Sequence, residues 1–150
     1  MKNLILTVIS IVITVIVNAQ WNYEVVDNGF DNKYKIAYTE RSNNAILKLE
    51  NYDGNIAFYL QGSYFCDDNP EVDLVFVVNG ENKKYYVTST KSTDNTCLFL
   101  INDLAESNIF TDFKACSFIK IRVNEIYCDT EVYNFNMSKS TSAYIYMLNK

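Results

Sequence analysis

The chain has 150 residues, with 13 Lys and Arg against 18 Asp and Glu, four Cys and no His. That length suits a single domain with a proper core. The absence of His excludes Ser-His-Asp and Cys-His nucleophilic sites and His-held zinc, copper or iron, and the acidic balance argues against nucleic acid or anionic lipid as a partner, because both need clustered Lys or Arg.

Met1-Lys2-Asn3 is a short positive start, Leu4 to Val17 is almost unbroken aliphatic sequence, and Val17-Asn18-Ala19 offers small or modest residues where a signal peptidase reads. The layout predicts a secretory signal peptide at residues 1–19, cleaved after Ala19, followed by one domain at 20–150. The alternative, a retained anchor, is disfavoured because the apolar run falls short of the roughly 20 residues that cross a bilayer as a helix. The first Cys is Cys66, so no lipid-bearing Cys stands at the cleavage site. Cleavage removes only Lys2 from the charge count and leaves 12 basic against 18 acidic side chains, a net of −6. An exported chain, periplasmic or extracellular, meets an oxidising compartment, and four Cys then read as two disulfides. Cys66 and Cys128 each end an apolar run and precede acidic residues, which favours Cys66–Cys128 and leaves Cys97–Cys116 to bracket a predicted helix.

The mature region reads as strand after strand. Strands are predicted at Asn22–Val26 and Lys33–Thr39, then as a hairpin of residues 45–52 with 55–62 around Asp53-Gly54. Folding around that turn sets Leu49 opposite Phe58, Leu47 opposite Leu60, Lys48 opposite Tyr59 and Glu50 opposite Ala57, which keeps apolar residues on one face. Asn79-Gly80 predicts a second hairpin, pairing Leu74 with Tyr85, Val72 with Val87, Asp73 with Tyr86 and Val75 with Lys84. The run Val72–Val78 is apolar on nearly both faces and predicts a central strand covered on each side. Further strands are expected at Thr96–Ile101, Ser117–Val123 and Glu131–Met137. A helix capped by Asn102 is predicted to reach Phe113, with Leu104, Ala105 and Ile109 inward. A second begins near Ser140 with Tyr144, Met147 and Leu148 as its apolar stripe. Many short strands with frequent turns and two short helices predict a mainly β fold, an antiparallel β-sandwich or open barrel with a C-terminal helix.

Candidate chemistry is sparse. No phosphate-binding glycine loop occurs, and the Cys spacing lacks C-x-x-C, so neither nucleotide nor zinc binding is expected. Paired carboxylates serve glycoside hydrolysis or calcium binding. Asp67, Asp68 and Glu71 around Asn69-Pro70 are the weak calcium candidates. Asp27-Asn28-Gly29-Phe30-Asp31-Asn32 has ligand types without an EF-hand ladder, and solvated turns account for both stretches. Lys83-Lys84 reads as a solvated hairpin end. The hydroxyl-rich Ser138–Ser142 reads as a cap for the last helix, and the sequon Asn136-Met137-Ser138 carries no weight in a chain whose leader and composition look bacterial. A binding surface would be an exposed edge strand or a Tyr-bearing face such as Tyr59 and Tyr86. No catalytic residue and no cofactor is expected.

One layout resembles known families. The strand Ser117–Val123, a Cys-bearing loop, Tyr133-Asn134-Phe135-Asn136-Met137-Ser138 and the helix start Ser140-Thr141-Ser142-Ala143 follow Leu47-x-Leu49 and the Val72–Val78 strand. This order resembles secreted β-sandwich proteins of unknown function and, more remotely, the VasI family associated with type VI secretion. Those families have a strand ending in Phe-x-Leu/Met-x-Gly/Ser-Ser and a closing helix; here Ser stands for the usual Gly and the Cys positions differ. The resemblance implies an accessory protein of the envelope or secretome, without catalytic residues, whose partner is a protein or envelope component. The alternative is a carbohydrate-active or calcium-dependent domain using Asp67, Asp68 and Glu71.

Overall fold

The structure is a computed structural model that describes residues 21–27, 29, 33–39, 43–52, 54–62, 64–101 and 109–149. The expected signal peptide, the cap Asn102, and Leu104 and Ala105 lie outside the described residues, as do Asp31 and Asp53. In chain order the elements are β1 (Asn22–Asp27), β2 (Lys33–Tyr38), β3 (Ile46–Tyr52), β4 (Asn55–Gln61), β5 (Glu71–Val78), β6 (Glu81–Thr88), β7 (Thr90–Lys91), β8 (Cys97–Ile101), α1 (Ile109–Ala115), β9 (Phe118–Asn124), β10 (Glu131–Asn136) and α2 (Ser140–Leu148). They form a six-stranded sheet ordered β1-β2-β3-β4-β8-β7 and a four-stranded sheet ordered β10-β9-β5-β6. Every strand pair is antiparallel, and the architecture is a β-sandwich with a closing C-terminal helix.

Both hairpins have the expected register. Leu49 faces Phe58 and Lys48 faces Tyr59 in β3–β4, and Leu74 faces Tyr85 and Asp73 faces Tyr86 in β5–β6. The second turn needs positive φ at both central residues, and Asn79 and Gly80 supply φ of 51° and 82°. Period-2 alternation then sends Leu47, Leu49, Phe58 and Leu60 from one sheet, and Val72, Leu74 and Phe76 from the other, into a common core. Each such buried side chain contributes roughly 1.5–3 kcal/mol relative to exposure. β5 is central in its sheet, but among the described residues it is covered on one face only. Val72, Leu74, Phe76 and Val78 are buried, whereas Val75 and Val77 are half-buried on the outer face, where Val75 sits between Lys84 and Lys120 in the ladder.

The helices fill the inner side. Phe113 of α1 is fully buried and meets Trp21 and Phe58 edge-on, at centroid distances of 6.3 and 5.3 Å. On α2 the buried residues are Ser140, Ala143, Tyr144 and Met147; Leu148, expected inward, is 53% exposed because the stripe runs i, i+3, i+4, i+7 from Ser140. Lys35 and Asn51 share the inner face of β2–β3 and hold the end of α2. The Lys35 ammonium donates to the carbonyls of Tyr146 and Asn149, and the Asn51 amide donates to Met147 at 2.6 Å. A cation there also complements the helix dipole. The Ser-Thr segment has a different role from the one expected. Ser140 and Thr141 hydroxyls donate to the Lys114 carbonyl at 3.2 and 2.7 Å, so they satisfy the end of α1, and α2 starts from Lys139 in the left-handed region without a side-chain cap.

Candidate functional site

At one end of the sandwich, the loop from β4 to β5 meets the loop from β9 to β10. The first loop is seated by Phe65, 1% exposed, beneath Gly62, where a Cβ would come within 2.8 Å of the Phe65 ring; only glycine permits that approach. Its backbone bonds across to the β7–β8 turn, Gly62 N–H to Thr96 at 2.9 Å and Phe65 N–H to Asn95 at 2.8 Å. The second loop is seated on the first by reciprocal carboxylate contacts. Glu125 accepts the N–H groups of Cys66 and Asp67, at 2.5 and 3.0 Å, and Asp67 accepts the N–H of Ile126. Cys66 and Cys128 complete the join as a disulfide, with Cα atoms 6.0 Å apart. Charge-assisted bonds to backbone N–H groups are among the stronger hydrogen bonds in proteins, so both loops are firmly placed.

This fastening presents apolar side chains to solvent. Ile126 is 86% exposed, Tyr127 83% and Tyr64 57%. Asp68, Glu71, Glu125, Asp129 and Glu131 stand on the same loops and adjoining strand ends. Glu131 has its pKa raised, first by burial and then by the Glu125 charge. Among the described residues at this end, the cation Lys91 is taken up: it pairs with Asp68 at 3.2 Å and donates to the Cys66 carbonyl at 2.9 Å.

Compared with family models, curated proteins and solved structures, the chain finds no match.

The expected candidates divide as follows. Asp67 is 8% exposed and bonded to the neighbouring loop, with its Oδ1 buried and lacking a hydrogen-bond partner. Asp68 projects outward to Lys91. Glu71 lies on the outer face, paired in register with Thr88 and Asn124. A hollow of about 350 Å³ adjoins Asp67, Asn69, Glu71, Asn124 and Glu125 but not Asp68. Among the described residues, the group of three carboxylate or thiol ligand atoms within 4.8 Å of one another is Cys66, Glu125 and Cys128, and there the sulfurs are spent on each other.

The expected Cys97–Cys116 bridge is not formed; both are free thiols. Cys97 alternates with buried Leu98 and so projects from the outer face of its sheet, whereas Cys116 lies in the core, 4% exposed. Tyr59 and Tyr86, expected on a common surface, lie on opposite outer faces, because Tyr59 pairs with Lys48 in one sheet and Tyr86 with Asp73 in the other. Sequence reasoning passed over Ile126 and Tyr127. Their signal was an apolar pair between Glu125 and Cys128, outside any alternating pattern.

Proposed function

We propose that the chain is an exported, non-enzymatic binding protein, periplasmic or extracellular, that engages a protein or envelope component through the disulfide-pinned tip. The observation that supports this is the exposure of Ile126 and Tyr127, 86% and 83%, on a loop held by the disulfide and by the Glu125 and Asp67 carboxylates. Large apolar groups on a rigid loop lose little entropy when a partner covers them, which is the economy of interface hot spots. The acidic collar selects an apolar socket rimmed by Lys or Arg. A secretion accessory role, implied by the resemblance to the VasI family, is the narrower form of this reading. The test is retention from envelope extract by immobilised protein and by its Ile126→Ser/Tyr127→Ser variant. The expected result is a specific band held by the wild type, weakened by added salt and lost in the variant. Equal retention by both proteins would sink the proposal.

A second reading, a calcium-dependent domain or a carbohydrate-active one, is favoured by the unpartnered Asp67 Oδ1 beside the hollow that Glu71 and Glu125 also line. Calcium takes six to eight oxygen ligands and such carboxylates are its usual source. A rise in melting temperature on calcium addition, abolished by Glu71→Gln, supports it; an unchanged melting temperature removes the metal version. Hydrolysis across a glycan panel, lost in Asp68→Asn, is the corresponding test of the enzyme version.

A further inference from the structure

The outer face of the four-stranded sheet gathers cations that are far apart in sequence. The ladder sets Lys84 and Lys120 on either side of Val75, and Tyr86 and Arg122 on either side of Asp73. Strand spacing puts the β-carbons of Lys84 and Lys120 roughly 10 Å apart and the Arg122 row about 7 Å along. Among the described residues neither Lys84 nor Lys120 has an ion-pair partner. Arg122 contacts Asp73 at 3.4 Å with one nitrogen and is 55% exposed, so most of its fork faces solvent. Tyr86 is 78% exposed beside them. Asp73, Val75, Lys84, Tyr86, Lys120 and Arg122 line a shallow hollow of about 110 Å³. Both helices pack on the inner side, through buried Phe113, Tyr144 and Met147, and the outer face carries no described element. In a chain of net charge −5, this concentration of cations runs against the charge of the whole.

We propose that this face binds an acidic oligosaccharide, a chain of sugars bearing carboxylate or sulfate groups. The open outer face of the sheet accommodates a linear chain. The Tyr86 ring offers its electron-rich face to the C–H side of a sugar, the lysines and the Arg122 fork take its acidic groups, and Asp73 and Asn134, the latter opposite Lys120 in the ladder, offer an acceptor and a donor to its hydroxyls. A polynucleotide needs many more cations than the three gathered here. A bilayer needs a protruding apolar wedge, which the described residues of this face lack. The site uses none of the tip residues, so it stands or falls apart from the preceding section.

The experiment is calorimetric titration of the full chain with oligogalacturonate and with a neutral glucan of equal length. The acidic sugar is expected to bind, several-fold more weakly at 200 than at 50 mM salt, and the neutral one not to bind. Tyr86→Ala should weaken binding roughly tenfold, and Lys84→Gln/Lys120→Gln should abolish it at an unchanged melting temperature, since both lysines are exposed. Equal binding of the neutral glucan, unchanged binding by the lysine variant, or equal capture of an acidic peptide or of anionic vesicles would overturn the proposal.

Discussion

Burial sets the chemistry of the individual side chains. Desolvation lifts the Cys97 thiol to about 11 and the Cys116 thiol to about 12, so neither is a thiolate at neutral pH and neither is a ready nucleophile. Alkylation of the native protein at pH 7.5 should therefore leave both unmodified over a time that fully labels the denatured chain; rapid native labelling of Cys97 would contradict this. Glu131 is the carboxylate at the tip that burial and a neighbouring charge both disfavour in its ionised form. Its pKa is raised by burial and by Glu125, so its favourable share of stability is present below the unfolded carboxylate value and lost as pH rises through the folded one. At pH 7 its charge is a cost. Glu131→Gln, which keeps an acceptor for the Tyr133 hydroxyl, should raise the melting temperature at pH 7 and leave it unchanged near pH 3, as read by thermal denaturation at both pH values.

Elements with local determinants were legible. The β3–β4 and β5–β6 hairpins follow from a two-residue turn and the parity of alternation, and any slip by one residue turns the Leu47 or Leu74 face outward. What parity does not carry is contact between distant elements. Val75 looked like a residue covered by another layer, yet it is only half-buried, flanked in the ladder by Lys84 and Lys120. Ser140 and Thr141 sit where a cap is expected and instead reach back to Lys114. The tip was half legible: Cys66 and Cys128 stood out by position, whereas Glu125, which knits the loops, lies 59 residues from Cys66 and had no local signal. The disulfide closes a separation of 62 residues, and loop-closure entropy puts its contribution at about 4 kcal/mol. Cys66→Ala/Cys128→Ala should lose about that much in urea unfolding, with the loss falling on the whole domain because the bridge ties the β4–β5 connection between the sheets to the β9–β10 loop of the smaller sheet.

For the molecule as a whole, two charge districts and one core define behaviour in solution. Acidic groups gather at the tip and cations on the outer face of the smaller sheet, so the chain is polar end to face despite its negative sum. The edges are managed differently: β6 carries Glu81, Lys83 and Lys84, charges that discourage edge pairing, whereas β1 leaves Val25 53% exposed. Stability should decline in alkali. The folded state holds the protons of Cys97, Cys116 and Tyr85 more tightly than the unfolded chain, with Tyr85 lifted to about 12 by its hydrogen bond to Asp112 and by burial. Their contribution is complete below about pH 9 and is lost as pH climbs toward 12. The urea midpoint should fall between pH 8.5 and 11; a flat midpoint would contradict the buried thiols. The spacing of the cysteines has a further consequence, for the order in which the molecule is made. A chain emerging from its amino end exposes Cys66, then Cys97 and Cys116, and only then the proper partner of the first. An oxidant that acts before Cys128 arrives can capture only wrong pairs, each of which must be undone by thiol exchange. In an oxidising compartment the two unpaired thiols would compete with Cys128 for Cys66, and Cys97→Ser/Cys116→Ser should raise the yield of correctly oxidised protein in oxidative refolding without moving its melting temperature upward.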